Sequence, residues 1–281
     1  MAGSTTRKWL VGCGLGCGGL IVLSIAGPLL FGLVLSRPMD RALDVQKELV
    51  KQFGEPAAWA PPAGPPAPER IEAFLAVRRA VMVQCPKFAK AAEDFARMDE
   101  MGRQSDKPNK GELMRAVAKV SGTVFGMIGD IAELHRLRDE ALLAQGMGLG
   151  EYDWIYTLAF QSWLGNPVTD SIDGKHASRS ESVAEDRAKA RQREVMASLV
   201  RREGEALEKA GQAAEAAAWR AEADRMERAE DPVPFGAGGL PEAWAAAFSA
   251  RGDELRAAWC ASMAEHDLSE VKKEGLSFHV N

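Results

Sequence analysis

The longest run of apolar residues lies near the N-terminus. From Trp9 to Ser36 the sequence contains 28 residues and no charged side chain. About 20 helical residues are enough to cross the hydrocarbon core of a bilayer, because each residue adds about 1.5 Å. Arg7 and Lys8 precede the run, as is usual at the cytoplasmic end of a membrane helix. The pattern therefore predicts one transmembrane helix over 9–36, after a short tail of residues 1–8.

Three processing routes fit this segment. An uncleaved signal-anchor agrees with the length of the apolar run. A cleavable signal peptide would use the small residues Ser24 and Ala26, but nine more uncharged residues follow, from Gly27 to Leu35. A lipoprotein would use Cys13, which is separated from Lys8 by only four residues. We favour the uncleaved signal-anchor. The apolar run continues too far beyond Ala26 for a cleaved signal peptide, and the run before Cys13 is too short for a lipoprotein signal.

Glycines in the predicted span recur at the spacing that lets two membrane helices approach closely. Gly12 pairs with Gly16, and Gly14 pairs with Gly18, as two overlapping GxxxG motifs. One interpretation is a face for a homodimer or for the membrane helix of another protein. The other is that glycine is simply common in membrane helices.

The glycine-studded N-terminus, RKWLVGCGLGCGGLIVL, resembles the anchors of many bacterial membrane proteins. That resemblance carries no activity. We expect the protein to lie in the cytoplasmic (inner) membrane, with the lipid bilayer as one partner. Long C-terminal domains are translocated largely regardless of charge, so the bulk of the chain should be extracytoplasmic or periplasmic.

Residues 37–68 connect the predicted span to the rest of the chain. Residues 37–54 have the apolar spacing of a short amphipathic juxtamembrane helix. Residues 55–68 contain six prolines among fourteen residues, a composition typical of extended polyproline structure. This segment is predicted to be a Pro-rich linker, or stalk. Its PxxP motifs offer a second interpretation, as a ligand for an aromatic groove.

The remaining residues, 69–281, are predicted to form one all-helical extramembrane domain. Apolar positions recur at helical spacing through most of this region. A run without charges over 154–169 follows the start of an aromatic-rich helix, which is typical of a buried central helix. The predicted helices are 69–84, 86–101, 112–145, 151–165, a charged hairpin of 178–209 and 212–230, and a last region over 241–265. The fold class is therefore all-α.

Composition and charge exclude only a few classes of function. Hydrophobic residues make up 46% and charged residues 27% of the chain, so a globular core is expected. The formal net charge is −5, and the two basic residues of the N-terminal tail leave −7 for residues 37–281. An acidic domain is poorly suited to binding nucleic-acid phosphates, so no nucleic-acid partner is expected.

Candidate chemistry is sparse. His135 and Asp139 lie one turn apart on the helix over 112–145, a spacing compatible with two metal ligands, and Glu133 is close by. His176 lies in a polar loop with two aspartates. These four residues are polar candidates only: no motif for a catalytic, cofactor or metal site accompanies them, and no cofactor is predicted.

Cys85 and Cys260 are far apart in sequence and belong to no CxxC motif. In an oxidising compartment the two could form a disulfide that closes a long loop. A pairing of either cysteine with a histidine is the alternative, since such pairs meet in space rather than in sequence.

These patterns predict a membrane-anchored helical protein that is a non-enzymatic interaction or scaffold module of the cell envelope. The alternative is a ligand-binding or hydrolytic domain with a site near the aromatic helix 151–164. A pocket lined by Tyr152, Tyr156 or Trp163 would favour the alternative, and tightly packed rings would favour the interaction module. A third interpretation is an accessory subunit that binds another membrane helix through the glycines of the span.

Overall fold

The computed structural model describes residues 37–104, 110–167, 179–229 and 233–268. Within these ranges all regular structure is helical, which confirms the all-α class. Ten α-helices occur there, joined in places by short 3-10 or π-helical turns. They are α1 (37–53), α2 (Pro68–Val81), α3 (Cys85–Gln104), α4 (Lys110–Ala144), α5 (Leu149–Tyr156), α6 (Arg179–Lys209), α7 (Ala213–Arg228), α8 (Glu242–Ser249), α9 (Gly252–Ala257) and α10 (Ala264–Asp267).

Among the helices just named, none combines the length and the apolar character needed to cross a membrane. The predicted span over 9–36, with Gly12, Gly14, Gly16 and Gly18, lies outside the described residues.

The core is built around α5 and the π-helical turn that continues it, Thr157–Trp163. These elements carry no charged side chain after Asp153, so they can be surrounded by other helices. The rings of Trp154 and Trp219 lie 5.6 Å apart between centroids, and those of Trp219 and Trp244 lie 4.6 Å apart. Three tryptophans from α5, α7 and α8 therefore join the centre of the domain to its C-terminal half.

The Pro-rich segment is not a free stalk. Arg202 of α6 donates from Nη1 to the carbonyl oxygens of Ala57 and Trp59, at 2.7 and 2.6 Å. A Cβ atom on Gly150 would lie 2.7 Å from the carbonyl oxygen of Pro56, so α5 and this segment touch through backbone. Proline composition predicts an extended chain, but it does not show whether the chain stands free or packs on a neighbour.

The helix α1 also belongs to the domain. Ala42 and Leu49 are buried, and Phe53 packs against the main core. In the structure, residues 37–68 therefore pack against the helices that follow them, with Leu49 in the main core.

The charged hairpin forms as its sequence predicts. Gly211 connects α6 to α7 with a φ of +81°, a conformation that favours glycine. On its exposed side, Arg201 Nη2 pairs with Asp224 Oδ1 at 2.9 Å and with Glu227 Oε1 at 2.7 Å. The apolar side, which includes Leu207 and Trp219, packs into the core.

Candidate functional site

The most unusual feature of the interior is a cluster of charged and phenolic side chains around Arg78, which we call the Arg78 cluster. Arg78 lies among apolar residues on α2 and has no exposed surface. Its Nη1 donates to Asp267 Oδ1 at 2.8 Å and to the hydroxyl of Tyr152 at 2.9 Å. Nε and Nη2 both donate to the carbonyl oxygen of Ala258, each at 3.1 Å. One guanidinium therefore holds both ends of the C-terminal segment, residues 258–268.

The second carboxylate oxygen of Asp267 is also used within the cluster. Tyr156 donates its hydroxyl to Asp267 Oδ2 at 2.9 Å. The guanidinium carbon of Arg78 lies 5.3 Å from the ring centroids of both Tyr156 and Phe160, so aromatic faces cover the cation. The Asp267 carboxylate thus accepts hydrogen bonds from one cation and one hydroxyl group, which compensate for its burial.

A second buried pair lies on α4. Arg138 Nε donates to Asp139 Oδ1 at 2.9 Å, and Arg138 Nη1 donates to the carbonyl oxygen of Asp267 at 2.9 Å. Both side chains are buried. Arg138 therefore joins α4 to the same C-terminal segment that Arg78 holds from α2.

Burial fixes the protonation of the phenols. It raises the pKa of Tyr152 and of Tyr156, and the positive charge of Arg78 offsets only part of that rise. Burial also raises the pKa of Asp139, against the opposing charge of Arg138. Both tyrosines keep their protons at neutral pH, where the Tyr152 hydroxyl accepts from Arg78 and the Tyr156 hydroxyl donates to Asp267.

The predicted polar candidates are only partly brought together. Glu133 lies toward the surface, where it binds Arg136 through two hydrogen bonds of 2.8 and 2.7 Å. His135 is buried, and its pKa lies well below the usual value because of burial first and the charges of Arg138 and His266 second. Asp139 is buried and bound to Arg138. His176 lies outside the described residues.

The described residues contain no group of three or more histidine, cysteine, aspartate or glutamate side chains placed to hold a metal ion. Asp139, one of the two residues with metal-ligand spacing, has one oxygen bound to Arg138. At the two positions with metal-ligand spacing, the structure therefore has a neutral histidine, His135, and an aspartate, Asp139, in a buried ion pair with Arg138.

The sulfurs of Cys85 and Cys260 are 2.08 Å apart, and the two Cα atoms are 6.0 Å apart. The bond joins the start of α3 to the C-terminal segment, close to Val81, Phe88 and Leu134. Together with Arg78 and Arg138, it gives the C-terminal segment three separate attachments to the helices before it.

The aromatic residues of α5 line no open pocket in the part of the chain that is described. Tyr152 and Tyr156 have no exposed surface, while Trp163 is half-buried and lies under Arg256, 5.6 Å from its guanidinium carbon. The grooves on the surface of the described residues include the following two. One, of about 560 Å³, is lined by residues of α1 and α4, and the other, of about 530 Å³, by residues of α7 and α8 with Pro241.

A buried carboxylate also lies between α6 and the Pro-rich segment. Glu203 Oε1 accepts a hydrogen bond from the backbone nitrogen of Gly64 at 2.7 Å, and the side chain has no exposed surface. Burial raises the pKa of Glu203 to about 7, the Gly64 hydrogen bond lowers it less, and the charge of Glu215 raises it slightly. The group therefore ionises near neutral pH.

Glu203 should make the folded domain less stable as the pH rises. Its folded pKa is about 7 and its ordinary value is 4.5, so the folded state binds the extra proton between these two values. Stability therefore falls across that window and stays lower above it. We expect Glu203→Gln to raise the free energy of unfolding by about 1–2 kcal/mol at pH 8, and by much less at pH 4.5. Urea denaturation at the two pH values measures the difference.

Glu205→Gln is the matched control for this change, because Glu205 lies on the same helix and is exposed. It should leave the pH dependence of stability unaltered. An equal pH dependence in the parent chain and in Glu203→Gln would contradict the assignment.

Sequence reasoning missed Arg78 and Asp267, the two main residues of the cluster. A signal for Arg138 was present, since it is the single charged residue in an otherwise apolar stripe along α4. Arg78 likewise lies between the apolar residues Val77 and Val81, but nothing in the sequence connects it with Asp267, 189 positions later.

The chain matches no protein-family model, no curated protein and no solved structure.

Proposed function

We propose that the chain is a single-pass membrane protein of the cell envelope whose helical domain binds a protein partner as a scaffold. The uncharged run over 9–36 supports the anchor. The observation that carries the binding role is the packing of Tyr152 and Tyr156. Neither ring has exposed surface, and their hydroxyls are bonded within the protein, to Arg78 and Asp267. The aromatic helix thus serves as core, which leaves the outer surface for recognition.

The disulfide between Cys85 and Cys260 supports an extracytoplasmic location for the domain. Disulfides persist in oxidising compartments such as the bacterial periplasm, and cytosolic thiols are kept reduced. This agrees with a signal-anchor orientation in which the short N-terminal tail stays in the cytoplasm.

The exposed side of the α6–α7 hairpin is the surface on which we expect the partner to bind. Arg201 and Arg220 each pair there with acidic residues of the neighbouring helix, Arg220 with Glu208 at 3.1 Å. Charges of both signs on this helix pair would offer a complementary surface that sets the register of a partner.

The test is co-purification of the full-length chain from its native membranes in a mild detergent, with the bound proteins identified and quantified by mass spectrometry. We expect one protein in stoichiometric amount. The variant R201E/R220E should reduce its recovery at least about tenfold, as expected when two interfacial charges become repulsive. The control is R256E, because Arg256 is also exposed and paired, with Asp253, but lies on α9.

Other outcomes would redirect the proposal. Equal recovery of the partner with R201E/R220E and R256E would remove the hairpin as the binding surface. Loss of the partner only when Gly12, Gly14, Gly16 and Gly18 are replaced by leucine would place the contact in the span. Recovery of a metal or small molecule, with no protein partner, would overturn the scaffold role in favour of a ligand-binding or hydrolytic domain.

A further inference from the structure

The direction of α1 relative to α4 determines where a membrane would lie. Near the start of α1, Arg41 lies in one groove with Glu133 and Arg136 of α4. At the end of α1, Phe53 touches Gly148, where an added Cβ atom would lie 2.9 Å from the Phe53 Cβ. The two helices therefore run in the same direction, and the first residue of α1 lies level with the part of α4 near Asp130.

The hairpin formed by α3 and α4 extends past this level. Lys87 Nζ of α3 lies 3.2 Å from Asp130 Oδ1 of α4, and Phe88 packs with Leu134. From these contacts α3 continues antiparallel to α4. Twenty residues of α4 precede Asp130, which corresponds to about 30 Å of helix. The hairpin therefore projects beyond the start of α1, the end to which residue 36 is joined.

Little chain is left to separate a membrane from this hairpin. The predicted span ends at Ser36, α1 begins at residue 37, and Ala42 is already buried in the domain. If the span continued straight along the axis of α1, the hairpin would lie beside it within the bilayer. The α3 helix contains eight charged residues, four of each sign, and charged side chains in the hydrocarbon core are costly.

A bend between the span and α1 removes this conflict. Pro38 lies in the first turn of α1 and has no backbone N–H, so a helix arriving from residues 9–36 would lose a hydrogen bond there. Proline also disfavours the helical conformation at the preceding residue, Arg37. A bend at this point would allow the hairpin to lie along the membrane surface instead of inside the membrane.

We propose that the α3–α4 hairpin lies on the phospholipid surface of the bilayer beside the end of the span. This inference rests on the anchoring of residues 9–36 that is part of the proposed function. The bilayer surface is the expected occupant because the chain reaches the domain without a spacer. Lys90 and Arg41 are exposed near the point of entry, where headgroup phosphates would meet them, while Lys87 at the same level is paired with Asp130.

The test uses the full-length chain with Cys13 and Cys17 replaced by serine, which leaves the Cys85–Cys260 bond intact. Single cysteines are placed at exposed positions around α3 (86, 87, 90, 93, 96 and 97) and carry a nitroxide spin label. The chain is inserted into nanodiscs of equal parts phosphatidylglycerol and phosphatidylethanolamine. Collisions of each label with oxygen, which enters lipid, and with a water-soluble nickel chelate are then measured.

We expect labels on one side of α3 to lose collisions with the nickel chelate and to gain collisions with oxygen. Ala214→Cys is the control, because Ala214 is exposed on α7, and its label should show the collision rates of a site in water. Water-like rates at every α3 position would overturn the proposal. Spin–spin broadening between copies, confined to α3, would overturn it in favour of a second copy of this chain.

If residues 9–36 do not anchor the chain in a membrane, the outcome differs from those above. A chain that alkaline carbonate removes from membranes, and that nanodiscs do not retain, contradicts both the proposed function and this inference. A chain that is retained, but with α3 in water, contradicts only the placement of the hairpin.

Discussion

Replacing Arg78 by methionine should lower the free energy of unfolding by about 3–5 kcal/mol, the usual cost of removing one partner of a buried ion pair. Methionine keeps most of the side-chain volume but leaves the Asp267 carboxylate buried without its cation. Arg78 also donates to the Ala258 carbonyl and to the Tyr152 hydroxyl, and neither acceptor would be matched in the variant. Urea denaturation followed by tryptophan fluorescence measures the loss.

Arg79 is the matched control, because it is the next residue on α2 and pairs with Glu72 while its side chain is 57% exposed. Arg79→Met should cost less than about 1 kcal/mol, as is typical of surface ion pairs. Equal stability of the two variants would show that Arg78 does not hold the C-terminal segment.

The double variant Arg78→Met with Asp267→Leu separates two contributions to this loss. If the cost of Arg78→Met is mainly that of the isolated carboxylate, removing that carboxylate should restore part of the stability. A further loss in the double variant would instead mean that the ion pair itself contributes most of the stabilisation.

Most of the helices could be predicted from the sequence, because their signals are local. The hairpin of α6 and α7 follows from two runs of helix-forming residues around Gly211, and the structure places the turn there. The absence of charge from Trp154 to Thr169 likewise predicts a buried helix from the sequence alone. Periodicity and composition predict that a segment is helical and which of its faces is buried.

Which neighbour a segment contacts is not a local property. The Pro-rich segment has the composition of a stalk, and its attachment depends on Glu203 and Arg202, more than 130 residues later in the chain. In the sequence, Glu203 is one of many charged residues of α6, and nothing in the pattern distinguishes it as buried. Composition therefore predicts a proline-rich connection but not its contacts with α6, nor the 3-10 turn at Pro56–Ala58.

In the candidate site too, local features can be predicted from the sequence and contacts between distant segments cannot. His135 and Asp139 share a helix face, which the sequence spacing predicts, and both are buried. In the structure the Asp139 carboxylate accepts a hydrogen bond from Arg138, a contact between neighbouring residues that the helical spacing does not indicate. The cluster depends on α2, α4, α5 and the C-terminal segment together, and only the three-dimensional arrangement joins these elements.

Removing the Cys85–Cys260 bond should destabilise the domain by about 5 kcal/mol in the chain-entropy model, because the bond closes a loop with a sequence separation of 175. Small domains have total stabilities of about 5–15 kcal/mol, so Cys260→Ser should leave a marginally folded chain. The readout is urea denaturation of the full-length chain in detergent, with Cys13→Ser/Cys17→Ser as the control. Alkylation of the unfolded, non-reduced chain should label Cys13 and Cys17 and spare Cys85 and Cys260.

The disulfide and the Arg78 cluster hold the same segment, so their losses should not add. Once Cys260→Ser has released residues 258–268, much of the Asp267 contact is already lost, and Arg78→Met should then cost less than in the parent chain. Trp259 reports this directly, since its ring lies 5.2 Å from that of Phe160 and would leave the core with the segment. Strictly additive losses would mean that each attachment holds the segment independently. Labelling of Cys85 and Cys260 before reduction would refute the bond itself.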